Sequence, residues 1–109
     1  MLPKTNRLFQ KKDFVSLKNK GIRKQSQTFG LLYLATSNSS SRVGIIVSKR
    51  ISLKASARNK AKRWLREAAY RQMPGKSFDL LFLAKKEVLA STFAKVNEEV
   101  KEIFSQINA

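Results

Sequence analysis

One stretch of the chain carries residue types that bind phosphate groups, at the spacing of a helix. Arginine makes forked hydrogen bonds to phosphate oxygens, and lysine acts as a point charge. Asparagine offers both a donor and an acceptor to a base edge or a 2′-hydroxyl. We define the basic face as four residues on one side of the helix, Asn59, Lys62, Arg63 and Arg66, with Arg58 immediately before them.

The other side of the same helix has apolar surface to bury. At about 100° per residue, five residues fall there: Ala57, Ala61, Trp64, Leu65 and Ala68. We predict a helix over residues 54–72, capped by Ser52 or Ser56 and ended by the Pro74-Gly75 pair. Glu67 is the only acidic residue close enough in the helix to compensate part of this positive charge. The basic face therefore repels itself unless a polyanion or solvent ions neutralise it. The simpler interpretation is a solvated helix face on which Asn59 caps locally.

The charge of the whole chain favours a polyanionic partner. The 109 residues carry a formal net charge of +16. Residues 1–24 and 42–76 hold all of the excess positive charge, residues 25–41 hold no charge, and residues 77–109 are nearly neutral. Positive charge confined to parts of a small domain is typical of nucleic-acid binding. A soluble domain with only generic affinity for polyanions is the alternative.

The composition argues against catalysis by the chain itself. It contains no cysteine and no histidine, so thiolate metal sites and the commonest general base are excluded. The carboxylates are scattered, which does not suit a two-metal nuclease. We therefore expect no catalytic residue, no metal ligand and no firmly bound cofactor in this chain. No apolar run reaches the roughly 18–20 residues that span a bilayer, and the start of the sequence lacks a signal peptide's apolar region. We expect a cytoplasmic protein without a membrane partner.

The elements that must position the basic face follow from apolar patterning. The length suits one domain over residues 1–109. We predict a helix over residues 11–20, strands over 29–35, 42–48 and 78–84, and a final helix capped by Ser91 or Thr92. A short strand near residues 21–24 is a weaker prediction. The strands at 29–35 and 42–48 read as a hairpin with a long loop. The order predicts an α+β fold, a split α/β sandwich of one sheet covered by helices.

Several of these segments together resemble the bacterial ribonuclease P protein family. Residues 57–67, ARNKAKRWLRE, resemble its R-N-x-x-K-R-x-x-R-E helix. Residues 42–50, RVGIIVSKR, are similar to its R-x-G-x-x-V-S-K-K strand and connector, and residues 78–84 match its late strand in position. Residues 6–8 and 13–14 look like its opening R-L…F pattern. The resemblance covers nearly the whole chain.

The resemblance implies a fold and a role. The fold is a mixed four-stranded sheet with three helices in the order α-β-β-β-α-β-α and a left-handed β-α-β crossover, whereas general principles favour a right-handed one. The role is that of a subunit of a ribonucleoprotein endonuclease whose catalytic RNA cuts precursor tRNA at the mature 5′ end. The catalytic centre and most Mg²⁺ would lie with the RNA. The partners would be that RNA and precursor tRNA, and no obligate protein partner is evident.

The resemblance also implies two sets of binding residues. The catalytic RNA would contact the basic face, Arg58, and the connector residues Lys49 and Arg50. The single-stranded 5′ leader of the substrate would lie in a cleft between the first helix and the sheet, formed by Phe14, Lys18, Leu32, Tyr33 and Arg42. Positions 18 and 32 are often aromatic in the family. Lysine and leucine there would leave leader binding more dependent on charge, since one stacked base contributes about 1–3 kcal/mol.

Two other functions fit part of the pattern. A small ribosomal or assembly protein would share the charge and the size, and it would have no role in precursor tRNA cleavage. A DNA-binding protein would need to insert the basic helix into a major groove. The sequence offers neither a second DNA-reading helix nor a dimer seam, which makes the DNA-binding hypothesis weak.

Overall fold

The computed structural model describes residues 11–36, 41–73 and 77–107, with the backbone alone for residues 11–14. The elements follow the predicted order, and one short 3₁₀ helix, Lys86–Ala90, was not predicted. The other elements are α1 (Lys11–Lys20), β1 (Ile22–Gln25), β2 (Phe29–Ala35), β3 (Arg42–Ile46), α2 (Ala55–Arg71), β4 (Phe78–Ala84) and α3 (Phe93–Ile107).

The four strands form one mixed sheet in the order β1-β2-β4-β3. Strands β1 and β4 each pair with β2 in antiparallel fashion. Strand β3 pairs with β4 in parallel, with Val43 opposite Leu80. Because β3 and β4 are parallel neighbours, α2 is the crossover that joins them. The mixed sheet with three α-helices agrees with the predicted fold class. The left-handed sense of the crossover stays a prediction.

The predicted hairpin of β2 and β3 is wrong, because β4 lies between these strands. The hairpin partner of β2 is β1, the strand that the sequence indicated only weakly. Strand β4 occupies an interior position and has four residues almost fully buried, which suits a strand covered on both faces. The four are Phe78, Leu80, Leu81 and Phe82.

Each face of the sheet packs against a different set of helices. On one face, α2 and α3 cover a large core in which the rings of Phe29 and Phe82 meet edge-on at 5.2 Å. On the other face, Leu17 of α1 packs on Leu32 and Leu81. The alternation of strand side chains produces this division, because neighbouring residues point to opposite faces. The sheet therefore separates α2 from α1.

Helix α2 buries the side that its apolar spacing predicts. Ala61, Leu65 and Ala68 are almost fully buried, and Ala69 joins them. Trp64 is half-buried, and the Lys60 ammonium lies 4.7 Å from its ring centre. These contacts fix the rotation of the helix about its axis, so the basic face points outward.

The capping prediction for α2 is wrong, whereas that for α3 is confirmed. Lys54 occupies the N-cap position of α2 without a side-chain cap, and Ser56 lies inside the helix. The Ser52 hydroxyl instead accepts a hydrogen bond from the Lys54 N–H, at 3.1 Å. At α3, the Thr92 hydroxyl accepts from the Lys95 N–H at 3.3 Å, as an N-cap side chain does. The predicted stop at residues 74–75 lies outside the described residues, and α2 ends at Arg71.

Candidate nucleic-acid interface

The basic face forms one continuous surface on the outward side of α2. Its four residues, together with Glu67, line an open depression of about 400 Å³. Asn59 and Arg63 are exposed, while Lys62 and Arg66 are half-buried. A half-buried cation lays its aliphatic stem on the helix and keeps its head in water, which limits the side-chain entropy lost when a ligand binds. The depression therefore presents three cations, one amide and one carboxylate to a ligand.

Arg58 differs from the basic face in its contacts. Its guanidinium Nη1 donates a hydrogen bond to the Ser52 carbonyl oxygen at 2.8 Å, and its backbone N–H donates to the Lys54 carbonyl oxygen. The half-buried side chain thus ties the start of α2 to the preceding connector. Of the five predicted helix residues, the structure brings four into one depression and places Arg58 at the joint beside it.

The connector between β3 and α2 carries the other two predicted RNA contacts. Lys49 and Arg50 are both exposed. They lie in a turn closed by a hydrogen bond from the Ile51 N–H to the Ser48 carbonyl oxygen, at 3.1 Å. Ile51 packs against the large core, which anchors the turn near the N-terminal end of α2. That end is the positive pole of the helix dipole, so it adds to the attraction of the two cations for phosphate.

The other predicted site lies on the α1 face of the sheet. Leu32 is only 4% exposed beneath α1, and Lys18 is exposed on α1 itself. Arg42 of β3 makes a bidentate ion pair with Asp79 of β4: Nε to Oδ1 at 2.9 Å and Nη2 to Oδ2 at 2.8 Å. Strand alternation places this pair on the same face as Leu32. The prediction for Phe14 falls in α1, where the side chain lies outside the described residues.

Tyr33 does not join the other predicted leader contacts. It follows Leu32 directly in β2, so its side chain points to the opposite face of the sheet. There its ring meets that of Phe78 at 5.8 Å and packs against the large core. A regular strand cannot bury Leu32 beneath α1 and also direct the next residue, Tyr33, into the same cleft. The structure therefore separates these two predicted residues.

Two residues on the α1 face of the sheet were not predicted from the sequence. Asp79 holds the guanidinium of Arg42, and Ile46 continues the same face of β3 and is 39% exposed. The alternation of positions 42, 44 and 46 could have indicated Ile46. Asp79 had no local signal, because its contact with Arg42 depends on the parallel pairing of β3 with β4.

An acidic residue of α3 organises the edge of the sheet far from the basic face in sequence. The Glu99 carboxylate accepts hydrogen bonds from the Ser26 hydroxyl, the Thr28 hydroxyl at 2.8 Å and the Thr28 N–H at 3.0 Å. Burial raises the pKa of Glu99, but these hydrogen bonds and the nearby Lys95 outweigh it, so the pKa is lowered overall. Glu99 is therefore an ionised anchor for the turn between β1 and β2.

In residues 11–36, 41–73 and 77–107, no group of three or more histidine, cysteine, aspartate or glutamate side chains is placed to hold a metal ion. No helix in that part of the chain is both long enough and apolar enough to cross a membrane.

The fold and the basic face define a small α+β protein with a cationic helix on its surface. A family model for ribonuclease P matches residues 2–108. The ribonuclease P protein component of Desulforapulum autotrophicum is 33% identical over 107 residues, which cover 96% of this chain and 91% of that one. That of Thermotoga petrophila is 34% identical over 94 residues, covering 84% and 78%.

Solved structures agree with these sequence relatives. The ribonuclease P protein of Thermotoga maritima superposes with a TM-score of 0.83 at 29% identity, over 94% of this chain and 98% of that one. The Staphylococcus aureus protein, at 22% identity, shares the fold with a TM-score of 0.83 over 94% of each chain. The chain belongs to the ribonuclease P protein component family, the protein subunit of an RNA-based endoribonuclease. Family membership does not favour the alternative of a ribosomal or assembly protein.

Proposed function

We propose that this chain binds the catalytic RNA of ribonuclease P through α2 and the 5′ leader of precursor tRNA through the α1 face. The observation that carries the proposal is the depression that Asn59, Lys62, Arg63 and Arg66 line together with Glu67. Three cations and one amide in that arrangement match an RNA backbone with an adjacent base edge or 2′-hydroxyl. Lys49 and Arg50 extend this surface beyond the start of the helix.

The leader would use the opposite face of the sheet. Lys18 supplies positive charge there, Arg42 presents a guanidinium that is paired with Asp79, and Ile46 supplies exposed apolar surface. Asp79 fixes the direction of the Arg42 guanidinium through two hydrogen bonds. The ribozyme and its substrate would then contact different faces of the protein, so both can bind at once.

Chemistry is assigned to the RNA partner. The described carboxylates form no metal-binding group, and histidine is absent from the sequence. In this proposal the RNA holds the catalytic Mg²⁺, and the protein strengthens substrate binding and the retention of those ions. The site of action is the cytoplasm, where precursor tRNA is processed.

The direct test is cleavage of precursor tRNA by the ribonuclease P RNA of the same genome at low Mg²⁺, with and without the protein. We expect strong stimulation at low Mg²⁺ that fades as Mg²⁺ rises, because the protein's cations substitute for counterions. Unchanged 5′ cleavage at every Mg²⁺ concentration would refute the proposal. Co-sedimentation with ribosomal subunits under those conditions would support the ribosomal alternative instead.

A further inference from the structure

An exposed aromatic residue, Tyr70, extends the basic face toward the C-terminal end of α2. Tyr70 lies in the last turn of α2 and is 51% exposed. It follows Arg63 by seven residues and Arg66 by four, which places it within about 40° of both around the helix axis. The basic face and Tyr70 are thus neighbours on one side of a single helix.

The surroundings of Tyr70 suit a neutral part of an RNA better than a phosphate. The C-terminal end of a helix is the negative pole of its dipole, which disfavours an anion there. Glu67, one turn earlier, adds a carboxylate. Arg71 is engaged with the protein, since its Nε lies 3.4 Å from Glu67 Oε1 and its guanidinium lies 5.1 Å from the Phe93 ring centre. The phosphate-binding character of the helix therefore declines toward Tyr70.

We infer that Tyr70 stacks on an unpaired base of the catalytic RNA at the C-terminal end of the basic face. An exposed aromatic ring is a stacking platform for any base, and its hydroxyl can also bond a 2′-hydroxyl. Four residues of helix advance about 6 Å, so a strand whose phosphate contacts Arg66 brings an adjacent base to Tyr70. This inference rests on the proposed function, since it names a further contact of the same RNA-binding surface.

The experiment measures binding of the catalytic RNA across a salt series for the wild-type chain and variants of Tyr70. Losing one stacked base should weaken binding of Tyr70→Ala by about 5- to 150-fold. Tyr70→Phe should stay within about threefold of wild type because the ring remains. Tyr70→Leu should resemble Tyr70→Ala, because leucine keeps apolar surface without a π-face.

The salt series distinguishes stacking from charge. The slope of log K against log salt should be unchanged in Tyr70→Ala, because a neutral side chain releases no counterion. Arg63→Ala should reduce the magnitude of that slope by roughly 0.7–1. Ile22→Ala is the matched control, because Ile22 is similarly exposed, at 55%, but lies on β1. We expect wild-type affinity and slope for it.

The binding measurements distinguish failure of the proposed function from failure of the stacking inference. If the wild-type chain shows no salt-dependent affinity for the catalytic RNA, the proposed function fails. If the wild-type chain binds but Tyr70→Ala binds equally well, or Tyr70→Leu restores affinity, the stacking inference alone is overturned. It is also overturned if Tyr70→Ala changes the sedimentation of the protein alone, since Tyr70 would then belong to a contact between copies. Thermal unfolding of each variant should stay near wild type, because the side chain is half exposed.

Discussion

At the scale of the residue, we expect exposed side chains of the basic face to contribute to RNA binding and little to the stability of the fold. Arg63 is exposed, and its neighbours on the buried side of α2 hold the helix in place without it. We expect Arg63→Ala to weaken binding of the catalytic RNA by about 1–3 kcal/mol, the range for a charge-assisted contact. The free energy of unfolding should change by less than about 0.5 kcal/mol. Filter binding and urea titration measure these two quantities.

The matched control for Arg63 is another exposed cation on a different helix. Lys101 of α3 is exposed and lies in the nearly neutral C-terminal part of the sequence. Lys101→Ala should leave RNA affinity within about twofold, whereas equal losses in both variants would mean that the chain attracts RNA through net charge alone.

Arg58→Ala should behave differently from both Arg63→Ala and Lys101→Ala. It removes the hydrogen bond to the Ser52 carbonyl oxygen, so it should cost about 1 kcal/mol of stability as well as affinity.

The ion pair of Arg42 and Asp79 makes a second residue-scale prediction. Two short hydrogen bonds join side chains that are 26% and 13% exposed, so solvent screens the pair only partly. Asp79→Asn should lower the free energy of unfolding by about 1–2 kcal/mol. A double-mutant cycle with Arg42→Ala, followed by urea unfolding, measures the coupling between the two side chains, because alanine removes the guanidinium. Independent, additive effects would show that the pair contributes nothing to stability.

Helical periodicity correctly predicted which side of α2 is buried, because one side is charged and the other is apolar. No such contrast exists in β2, where four consecutive residues from Phe29 to Leu32 are buried. The sequence pattern therefore gave no way to tell which of Leu32 and Tyr33 faces α1. Only the packing of Leu17 on Leu32 and Leu81 settles the phase of the strand.

At the scale of the element, the turn between β1 and β2 depends on an ionised Glu99 of α3. Because its folded-state pKa lies below the ordinary value of 4.5, it stabilises the fold fully above about pH 4.5. That contribution is lost as the pH falls through the folded-state pKa. We expect Glu99→Gln to be less stable than wild type at pH 7, with the difference shrinking toward pH 3. Urea titrations at both pH values measure it.

Glu102 supplies the control for this pH dependence. It is an exposed glutamate on the same helix, so Glu102→Gln should match wild type at both pH values. A Glu99→Gln variant whose loss of stability is equal at pH 7 and pH 3 would contradict the ionic role. The loss would then come from the altered shape of the side chain.

The element boundaries were predictable to within a residue or two, but local patterns did not predict the pairing of strands, and the β-α-β crossover was implied by the family resemblance alone. Strand β2 and α1 have the predicted limits, and α2 is one residue shorter at each end. Local patterns report which residues are buried, whereas strand order depends on contacts far apart in sequence. The place of β4 between β2 and β3 requires α2 to cross over the sheet, and no short-range signal indicates that.

At the scale of the whole molecule, topology puts the two proposed RNA-binding surfaces on opposite faces of one sheet. Helix α2 covers one face and α1 the other, so a substitution in the first surface does not touch the second. The composition predicted a nucleic-acid partner, since a net charge of +16 needs counterions. It did not predict that the two proposed surfaces lie on different faces, which depends on the sheet that separates the helices.

This separation makes the two contacts distinguishable by the length of the leader. We expect Arg42→Ala to slow cleavage of precursor tRNA with a long 5′ leader and to have little effect on a substrate with a single leader nucleotide. Arg63→Ala should slow both equally at limiting protein, because it weakens assembly of the holoenzyme rather than contact with the leader. Single-turnover cleavage of the two substrates by each variant measures the effect.

The loss of free energy in the double variant should equal the sum of the losses in the single variants, since distant sites without shared partners act independently. An Arg42→Ala defect of the same size on both substrates would place Arg42 outside the leader contact and return it to a purely structural role with Asp79.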